Sequence, residues 1–232
     1  MLKSNSPEVL YAFGGKVWTD KSAWTYDCPS TSIYGSTITI YANAATIPAV
    51  ADFVSLNPNG GGFPPGIYRV LTVNGATSFT VSADGPSVAV TGGTFTSTSD
   101  LPVLSFTIPA GTLKLNSMVK ITGRISTNGS ANLKTIKSKL DGSDFHKIGV
   151  NNVAVVAGIF EASFHNRNSY TKQIGTYNDT SQSGSYTLVL GVGGIELTKD
   201  TKLDTTLSIT FTKTATDNMI LDGVTVVHFP FD

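Results

Sequence analysis

The chain has 232 residues, of which 40% are hydrophobic and only 14% are charged. Its 16 basic residues balance 16 acidic ones, so no net field attracts nucleic acid, and we expect no nucleic-acid partner. The single cysteine, Cys28, excludes an intrachain disulfide, and we expect a small buried side chain. No apolar run of about 20 residues predicts membrane insertion, and the N-terminus lacks a signal-peptide pattern, so we expect synthesis in the cytoplasm.

The composition favours strands joined by turns. Charged residues make up about 25% of an average globular domain, and here Thr, Ser, Asn and Gly take their place. Thr is β-branched and suits a pleated surface, whereas Ser, Asn and Gly suit turns. No segment has convincing helical amphipathicity, and no repeat of 20 to 50 residues indicates a solenoid or a propeller. We therefore predict an all-β fold.

Residues 1–34 are rich in aromatic side chains but have neither a helical nor a strand period, and both tryptophans lie there. We predict an N-terminal aromatic arm that packs against the body of the protein or against a neighbouring subunit. An ordinary N-terminal strand with its own aromatic cluster is the alternative. The candidate partner-binding residues of this arm are Tyr11, Phe13, Trp18, Trp24 and Tyr26.

Residues 35–99 have the pattern of a small β module. Short apolar and β-branched runs are separated by turn residues at intervals of roughly eight to twelve residues. Asn74-Gly75, between two such runs, predicts a hairpin whose turn requires positive φ. A polar run from Ser97 to Asp100 then precedes Pro102, and we place a domain boundary there.

Residues 100–232 read as a larger β domain. Val119, Ile121 and Ile125 alternate with polar residues along one predicted strand. A second strand alternates in the same way, with Leu203, Leu207, Ile209 and Phe211 on its apolar face. Eight or nine strands joined by short turns predict a jelly-roll-like antiparallel β-sandwich, with an immunoglobulin-like sandwich as the alternative.

No group of residues indicates catalysis, a cofactor or a metal. His146, His165 and His228 are far apart in sequence, and we expect structural or surface roles for all three. The run from Asp141 to Asp144 could offer oxygens to calcium but fits a β-turn at least as well. We interpret the glycine-rich run from Gly191 to Gly194 as a turn. A Ser-His-Asp triad has no local support. A virion-bound glycan hydrolase would need a carboxylate pair that the sequence does not reveal, and we expect that the protein is not an enzyme.

Two stretches resemble parts of proteins from tailed-bacteriophage particles. In the first, Phe106 to Gly142, the landmarks are Ile108-Pro109-Ala110-Gly111, Leu113, Asn128-Gly129 and Leu140-Asp141-Gly142. This stretch resembles the start of a β-sandwich domain common in phage virion proteins. The run FHNRNS (Phe164 to Ser169) and the strand that ends VTVVHFP fit the later part of the same pattern, so that the resemblance covers about 125 residues.

The second stretch, Ala51 to Gly85, resembles a small β module of phage tail and fibre proteins. That pattern has a strand with G-D-x-V, a P-x-G turn, a Y-x-V strand and an S-x-T-F-x-L/V-S strand. Here Ala51 stands where the pattern has glycine, and the His-Gly that often opens the module is absent. The matching landmarks are Asp52-Phe53-Val54, Pro64-Pro65-Gly66, Tyr68-Arg69-Val70 and Ser78-Phe79-Thr80-Val81-Ser82.

The resemblance implies a virion structural protein, and we expect a capsid decoration, or cement, protein on the outer surface of the head. A shaft typical of long fibres would not fit in the chain. The implied partners are further copies of the chain, as a homotrimer or otherwise a dimer, and the major capsid protein or tail proteins. The alternative is a short tail fibre or tail-tip adhesin that binds a saccharide or protein of the host-cell surface.

Overall fold

The protein is described by a computed structural model, which covers residues 6–21, 24–28, 37–42, 47–82, 88–96, 100–128, 130–150, 157–177, 189–190, 195–214 and 217–231. Every regular element in these ranges is a β-strand, so the all-β prediction is confirmed. The strands are β1 (Glu8–Phe13), β2 (Val17–Thr19), β3 (Thr25–Cys28), β4 (Thr37–Tyr41), β5 (Phe53–Leu56), β6 (Pro58–Asn59), β7 (Gly66–Asn74), β8 (Ser78–Ser82), β9 (Val90–Phe95), β10 (Leu101–Ile108), β11 (Met118–Thr127), β12 (Lys134–Leu140), β13 (Ser143–Val150), β14 (Ala157–Asn166), β15 (Gln173–Tyr177), β16 (Val189–Leu190), β17 (Ile195–Leu197), β18 (Thr205–Thr212) and β19 (Met219–Phe229).

The C-terminal part is the predicted jelly-roll-like β-sandwich. One sheet contains the order β17-β15-β14-β11-β19, with β1 also paired to β19, and the facing sheet has the order β10-β18-β12-β13-β16. All strand pairs within the sandwich are antiparallel across the described residues. One continuous core lies between the two sheets, and it is mainly aliphatic with a few Phe side chains.

The alternation predicted for β11 and β18 places their apolar residues in this core. Val119, Ile121 and Ile125 of β11 are buried, whereas Arg124 on the opposite face is exposed. In β18, the core contains Leu207, Ile209 and Phe211. Leu203, predicted for the same face, is 62% exposed because it lies in the turn before β18. That part of the prediction is wrong.

Two predicted turns are present as hairpins. Gly75 has φ of +60° between β7 and β8, as the Asn-Gly signal requires. Asp141 and Gly142 have φ of +44° and +77° between β12 and β13. The Asp141 carboxylate accepts a hydrogen bond from the backbone N–H of Thr206 at 2.7 Å, so this residue stabilises a turn.

The small module has its own core, and this core is largely aromatic. Trp24, Tyr26, Phe63, Phe79 and Phe95 are all buried in it. Trp24 contacts Phe79 edge to face, with 5.3 Å between ring centroids, and Tyr26, Phe63 and Phe95 contact one another in a second group of rings. Cys28 is buried in the same cluster, as expected.

Strand β2 joins the small module to the sandwich. It pairs antiparallel with β19 of the sandwich and parallel with β5 of the module, so the sheet continues from one core to the other. The division at 1–34, 35–99 and 100–232 stays a prediction, and residues 97–99 of its second boundary lie outside the described ranges. No helix in those ranges has the length and apolar character needed to cross a bilayer.

Candidate functional site

Three loops meet at one end of the sandwich, and we call them the loop platform: residues 109–117, 167–172 and 198–204. They precede β11, follow β14 and precede β18, respectively. Loops on a rigid sheet scaffold are the usual location of binding residues. Buried polar side chains and backbone hydrogen bonds hold these three loops together.

Asn166, the last residue of β14, is the first of the buried polar side chains that hold the platform together. Its Nδ2 donates to the carbonyl of Lys114 at 2.6 Å and to Thr201 Oγ1 at 3.0 Å. Thr201 Oγ1 in turn donates to the carbonyl of Tyr170 at 3.0 Å. These two side chains therefore connect all three loops through hydrogen bonds shielded from water, where such bonds are costly to lose.

Gln173, at the start of β15, provides the second connection. Its Nε2 donates to the carbonyls of Tyr170 and Lys199 at 2.9 and 3.0 Å. Its Oε1 accepts from the backbone N–H of Lys199 at 3.0 Å. The buried amide thus fixes the third loop against the second, and the platform is ordered before it meets a ligand.

The outer surface of the platform combines apolar and cationic groups. Leu115 and Leu203 are 40% and 62% exposed. The ammonium group of Lys202 lies over the ring of Tyr170, 4.9 Å from the ring centroid. Lys114, Arg167, Lys172 and Lys199 add further positive charge to these loops, and the exposed Asp200 and Asp204 add negative charge.

A cleft of about 400 Å³ opens on the flank of the platform. Its volume falls in the range of about 300–1,000 Å³ that is usual for small-molecule sites. Arg167 and Glu196 form an exposed ion pair within it, with 3.2 Å between Nη1 and Oε1. The lining residues are Arg167, Lys172, Gln173, Glu196, Leu197 and Thr198.

A second polar group lies where the small module meets the sandwich, and we call it the junction cluster: Asp20, Lys134, Lys213 and Asp217. All four side chains are buried. Lys134 is 3.7 Å from Asp217, and its Nζ also donates to Ser130 and to the carbonyl of Asn132. This first pair is therefore well supplied with hydrogen bonds.

The second pair of the junction cluster is poorly satisfied. Lys213 Nζ lies 4.0 Å from Asp20 Oδ1, and within the described part of the chain neither atom has a hydrogen-bond partner. Burial raises the pKa of Asp20 to about 7, although Lys213 and the N–H of Asn57 act against it. Burial likewise lowers the pKa of Lys213 to about 8.

The structure brings together a serine, a histidine and a glutamate that no sequence motif indicated. Ser117 Oγ lies 2.9 Å from His228 Nε2, and His228 Nδ1 lies 3.8 Å from Glu8 Oε2. This is the order of a catalytic triad, but Ser117 is 1% exposed and accepts a hydrogen bond from the N–H of Lys114. A substrate has no access to its oxygen, so the group ties β19 to the platform.

The other two histidines are separate from this group. His146 is fully buried, stacks on Phe160 and lies within 3.2 Å of Ser138 Oγ, whereas His165 is partly buried on β14. Among the described residues, no group of three or more His, Cys, Asp and Glu side chains is arranged to hold a metal. The run Gly191 to Gly194 lies outside the described ranges.

The five candidate partner-binding residues are in the protein interior or at its border. Trp18, Trp24 and Tyr26 are buried in the aromatic core, and Tyr11 and Phe13 pack, partly buried, against the sandwich core. The aromatic richness of residues 1–34 was therefore a signal of core formation in this fold. Binding of a partner by these residues stays a prediction. Tyr11 and Phe13 are only partly buried and therefore keep more accessible surface than the other three.

The platform was missed by sequence reasoning because its members are far apart along the chain. The run FHNRNS contained Asn166 and the first half of the second loop, but nothing in it predicted contact with residues 109–117 or 198–204. The polar character of Gln173 and Thr201 likewise gave no sign that they are buried.

No protein-family model matches the chain, and no curated protein matches it. A solved structure to which it is similar is a glycosyl hydrolase family 16 protein from Mycobacterium smegmatis, with 11% sequence identity and a TM-score of 0.27. The match covers 94% of this chain and 100% of that chain. So low a TM-score carries no argument about the fold or activity of this protein.

The matched protein is described as a glycosyl hydrolase, which stands against our expectation that the protein is not an enzyme. We withdraw that expectation. The likeness supplies no substrate, reaction or catalytic residue for this chain.

Proposed function

We propose that this chain is a structural protein of a tailed-bacteriophage particle, and specifically a capsid decoration protein that binds and stabilises the head. The observation that carries the proposal is that both phage-like sequence patterns fall on consecutive strands and the turns that connect them. Residues 106–142 span the end of β10, the first platform loop, β11 and β12 up to its hairpin turn. Residues 51–85 contain the neighbouring strands β5, β7 and β8.

The loop platform has the properties that suit a lasting protein contact. Its loops are ordered by Asn166, Gln173 and Thr201, so little conformational entropy is lost on docking. It exposes Leu115 and Leu203, and the ring of Tyr170 lies against the ammonium group of Lys202. Apolar and aromatic side chains surrounded by polar groups are typical of the centre of protein interfaces.

In this proposal the protein lies on the outer surface of the head, and its partner is the major capsid protein. The chain forms a homotrimer, with a dimer as the alternative, because decoration proteins that dock at a symmetry axis match that symmetry. Light scattering of the purified protein measures the number of copies directly.

The test is binding of the purified full chain to emptied heads of the encoding phage, followed by co-sedimentation. We expect saturable binding, and we expect the double substitution Leu115→Asp with Leu203→Asp to abolish it. Leu133→Asp is the matched control, because Leu133 is 52% exposed and lies near the opposite end of β11. Circular dichroism would verify that all variants are folded.

Absence of binding by the unmodified protein would contradict the decoration function itself. If Leu133→Asp abolishes binding and the double substitution does not, the function stands but the loop platform is not the docking surface.

A second candidate function, a short tail fibre or tail-tip adhesin, is favoured by the polar cleft beside the platform. A cleft with cationic, acidic and hydroxyl side chains suits a polar ligand of the host surface better than it suits a flat protein interface. Fluorescently labelled protein should then stain host cells and ignore emptied heads, which is the reverse of the result expected for a decoration protein.

A further inference from the structure

The floor of the cleft on the flank of the loop platform is formed by strands, and its walls carry ionisable side chains. Gln173 and Leu197 face each other across the β15–β17 pair and are both buried, so the floor belongs to the sheet. Gln173 is fixed by its hydrogen bonds to Tyr170 and Lys199. The backbone N–H of Arg167 donates to the carbonyl of Lys172 at 2.9 Å, which holds the two cationic residues side by side.

The charged groups of the cleft are accessible to a ligand. The Arg167 and Glu196 side chains are 56% and 77% exposed, and such exposed ion pairs contribute only about 0–1 kcal/mol. Exchange of Glu196 for a ligand carboxylate on Arg167 therefore costs little. In the described part of the chain, the ammonium group of Lys172 has no hydrogen-bond or ion-pair partner.

We propose that this cleft binds an acidic saccharide, a short chain of sugar units that bears a carboxylate. The guanidinium of Arg167 and the ammonium of Lys172 bind the carboxylate, since Arg presents a planar fork that matches it. Glu196 accepts hydrogen bonds from sugar hydroxyls, and Thr198 donates or accepts one. Leu197, which is buried in the floor, provides apolar atoms beneath the ligand.

The mixture of charges favours a saccharide over an acidic peptide. Glu196 would repel a peptide that carried several carboxylates, whereas it is satisfied by the hydroxyl donors that a sugar provides at every ring. A neutral sugar would leave Arg167 paired with Glu196 but would give the ammonium group of Lys172 no matching charge. This inference rests on the second candidate function and names its ligand class, but it concerns the isolated protein and is independent of docking to a head.

The experiment is titration of the purified full chain with saccharides paired by charge, measured by calorimetry. One pair is sialyllactose and lactose, and the other is an oligogalacturonate and its methyl ester. We expect the acidic member of at least one pair to bind and its neutral partner to bind at least tenfold more weakly. Arg167→Gln and Lys172→Gln should each weaken binding about tenfold, which corresponds to about 1.4 kcal/mol.

Lys120→Gln is the matched control, because Lys120 is another cation, partly exposed, that pairs with a glutamate, Glu161, at 3.0 Å. It should leave saccharide affinity unchanged. The proposal is overturned if no acidic saccharide binds, if charged and neutral members bind equally, or if the Arg167 and Lys172 variants bind as the unmodified protein does. Binding of a poly-glutamate peptide in preference to every saccharide, lost with Arg167→Gln, would assign the cleft to acidic peptides instead.

Head binding by the same variants separates the two proposals. If Arg167→Gln loses the saccharide but still sediments with heads, the cleft and the docking surface are different sites. If no saccharide binds but the protein still binds heads, the saccharide proposal is overturned and the decoration function stands.

Discussion

The loop platform and the junction cluster both bury polar side chains, but they satisfy them to different degrees. In the platform, Gln173 and Thr201 exchange hydrogen bonds with backbone groups of neighbouring loops. In the junction cluster, Asp20 and Lys213 are held 4.0 Å apart, without a hydrogen bond between them. In the described part of the chain Asn166 Oδ1 also lacks a hydrogen-bond partner, but it is a neutral acceptor, whereas the unbonded atoms of Asp20 and Lys213 belong to ionisable groups. Well-bonded buried polar groups rigidify a site, whereas partly bonded charges cost free energy. The comparison indicates that the platform is built for order and that the junction is the place where the fold tolerates an electrostatic cost.

The largest effect is expected from Lys134→Met in the junction cluster. The substitution removes the cation beside buried Asp217 and should lower the free energy of unfolding by about 3–5 kcal/mol, because a buried charge then lacks its partner. Urea denaturation measures this change. Lys120→Met, which breaks a partly exposed pair, is the control and should cost no more than about 1 kcal/mol. Equal effects of the two substitutions would contradict the difference between buried and exposed pairs.

The double substitution Asp20→Asn with Lys213→Met should stabilise the protein by roughly 1–4 kcal/mol at neutral pH, because it removes a poorly bonded buried pair. The benefit depends on pH. The pKa of Asp20 is raised from 3.8 to about 7, so the folded state keeps a proton that the unfolded state loses, and stability falls as pH rises through that interval. The pKa of Lys213 is lowered from 10.5 to about 8, so its cost disappears as pH rises from 8 to 10.5.

The stability difference between this double variant and the unmodified protein should therefore be largest between pH 7 and 8. Thermal unfolding of both proteins across pH 4 to 10.5 measures it. A difference that does not vary with pH would show that these two groups do not titrate as a buried pair.

Gln173→Ala in the loop platform should lower the free energy of unfolding by about 1–3 kcal/mol, because the backbone groups of Tyr170 and Lys199 lose their buried partner. The effect should also be local. Amide hydrogen exchange should accelerate in residues 198–204 and remain slow in β11. Lys172→Ala, one residue earlier and exposed, is the control and should change neither quantity. Uniform acceleration throughout the chain would mean that Gln173 stabilises the whole fold and not the platform.

The smallest effect is expected from Arg167→Gln, which should change the free energy of unfolding by no more than about 0.5 kcal/mol, because its ion pair is exposed. Chemical denaturation measures this before any binding experiment. If Arg167→Gln lowers the free energy of unfolding by more than about 1 kcal/mol, Arg167 has a structural role. The saccharide test would then depend on Lys172→Gln only.

The fold was predictable where local chemistry decides structure. The alternation in β11 and the turns at Asn74-Gly75 and Asp141-Gly142 each depend on adjacent residues, and the structure confirms them. Leu203 was misassigned because strand periodicity alone does not mark where β18 begins. The aromatic run of residues 1–34 gave no period, since its side chains enter two different cores.

The candidate site was not predictable, because it depends on contacts between distant parts of the chain. Asn166 and Thr201 meet 35 residues apart, and Asn166 also reaches Lys114, which is 52 residues away. The burial of Lys134 and Lys213 is equally invisible in sequence, because charged residues are almost always exposed. Only the packing of two modules around β2 puts Asp20 beside Lys213.

The central claim, that the protein decorates the phage head, is tested most directly by electron microscopy of the intact particle with a gold-labelled antibody to this chain. We predict label distributed over the outer surface of the head. Label confined to the tail would contradict the decoration function and make the adhesin function, with its polar cleft, the one to pursue.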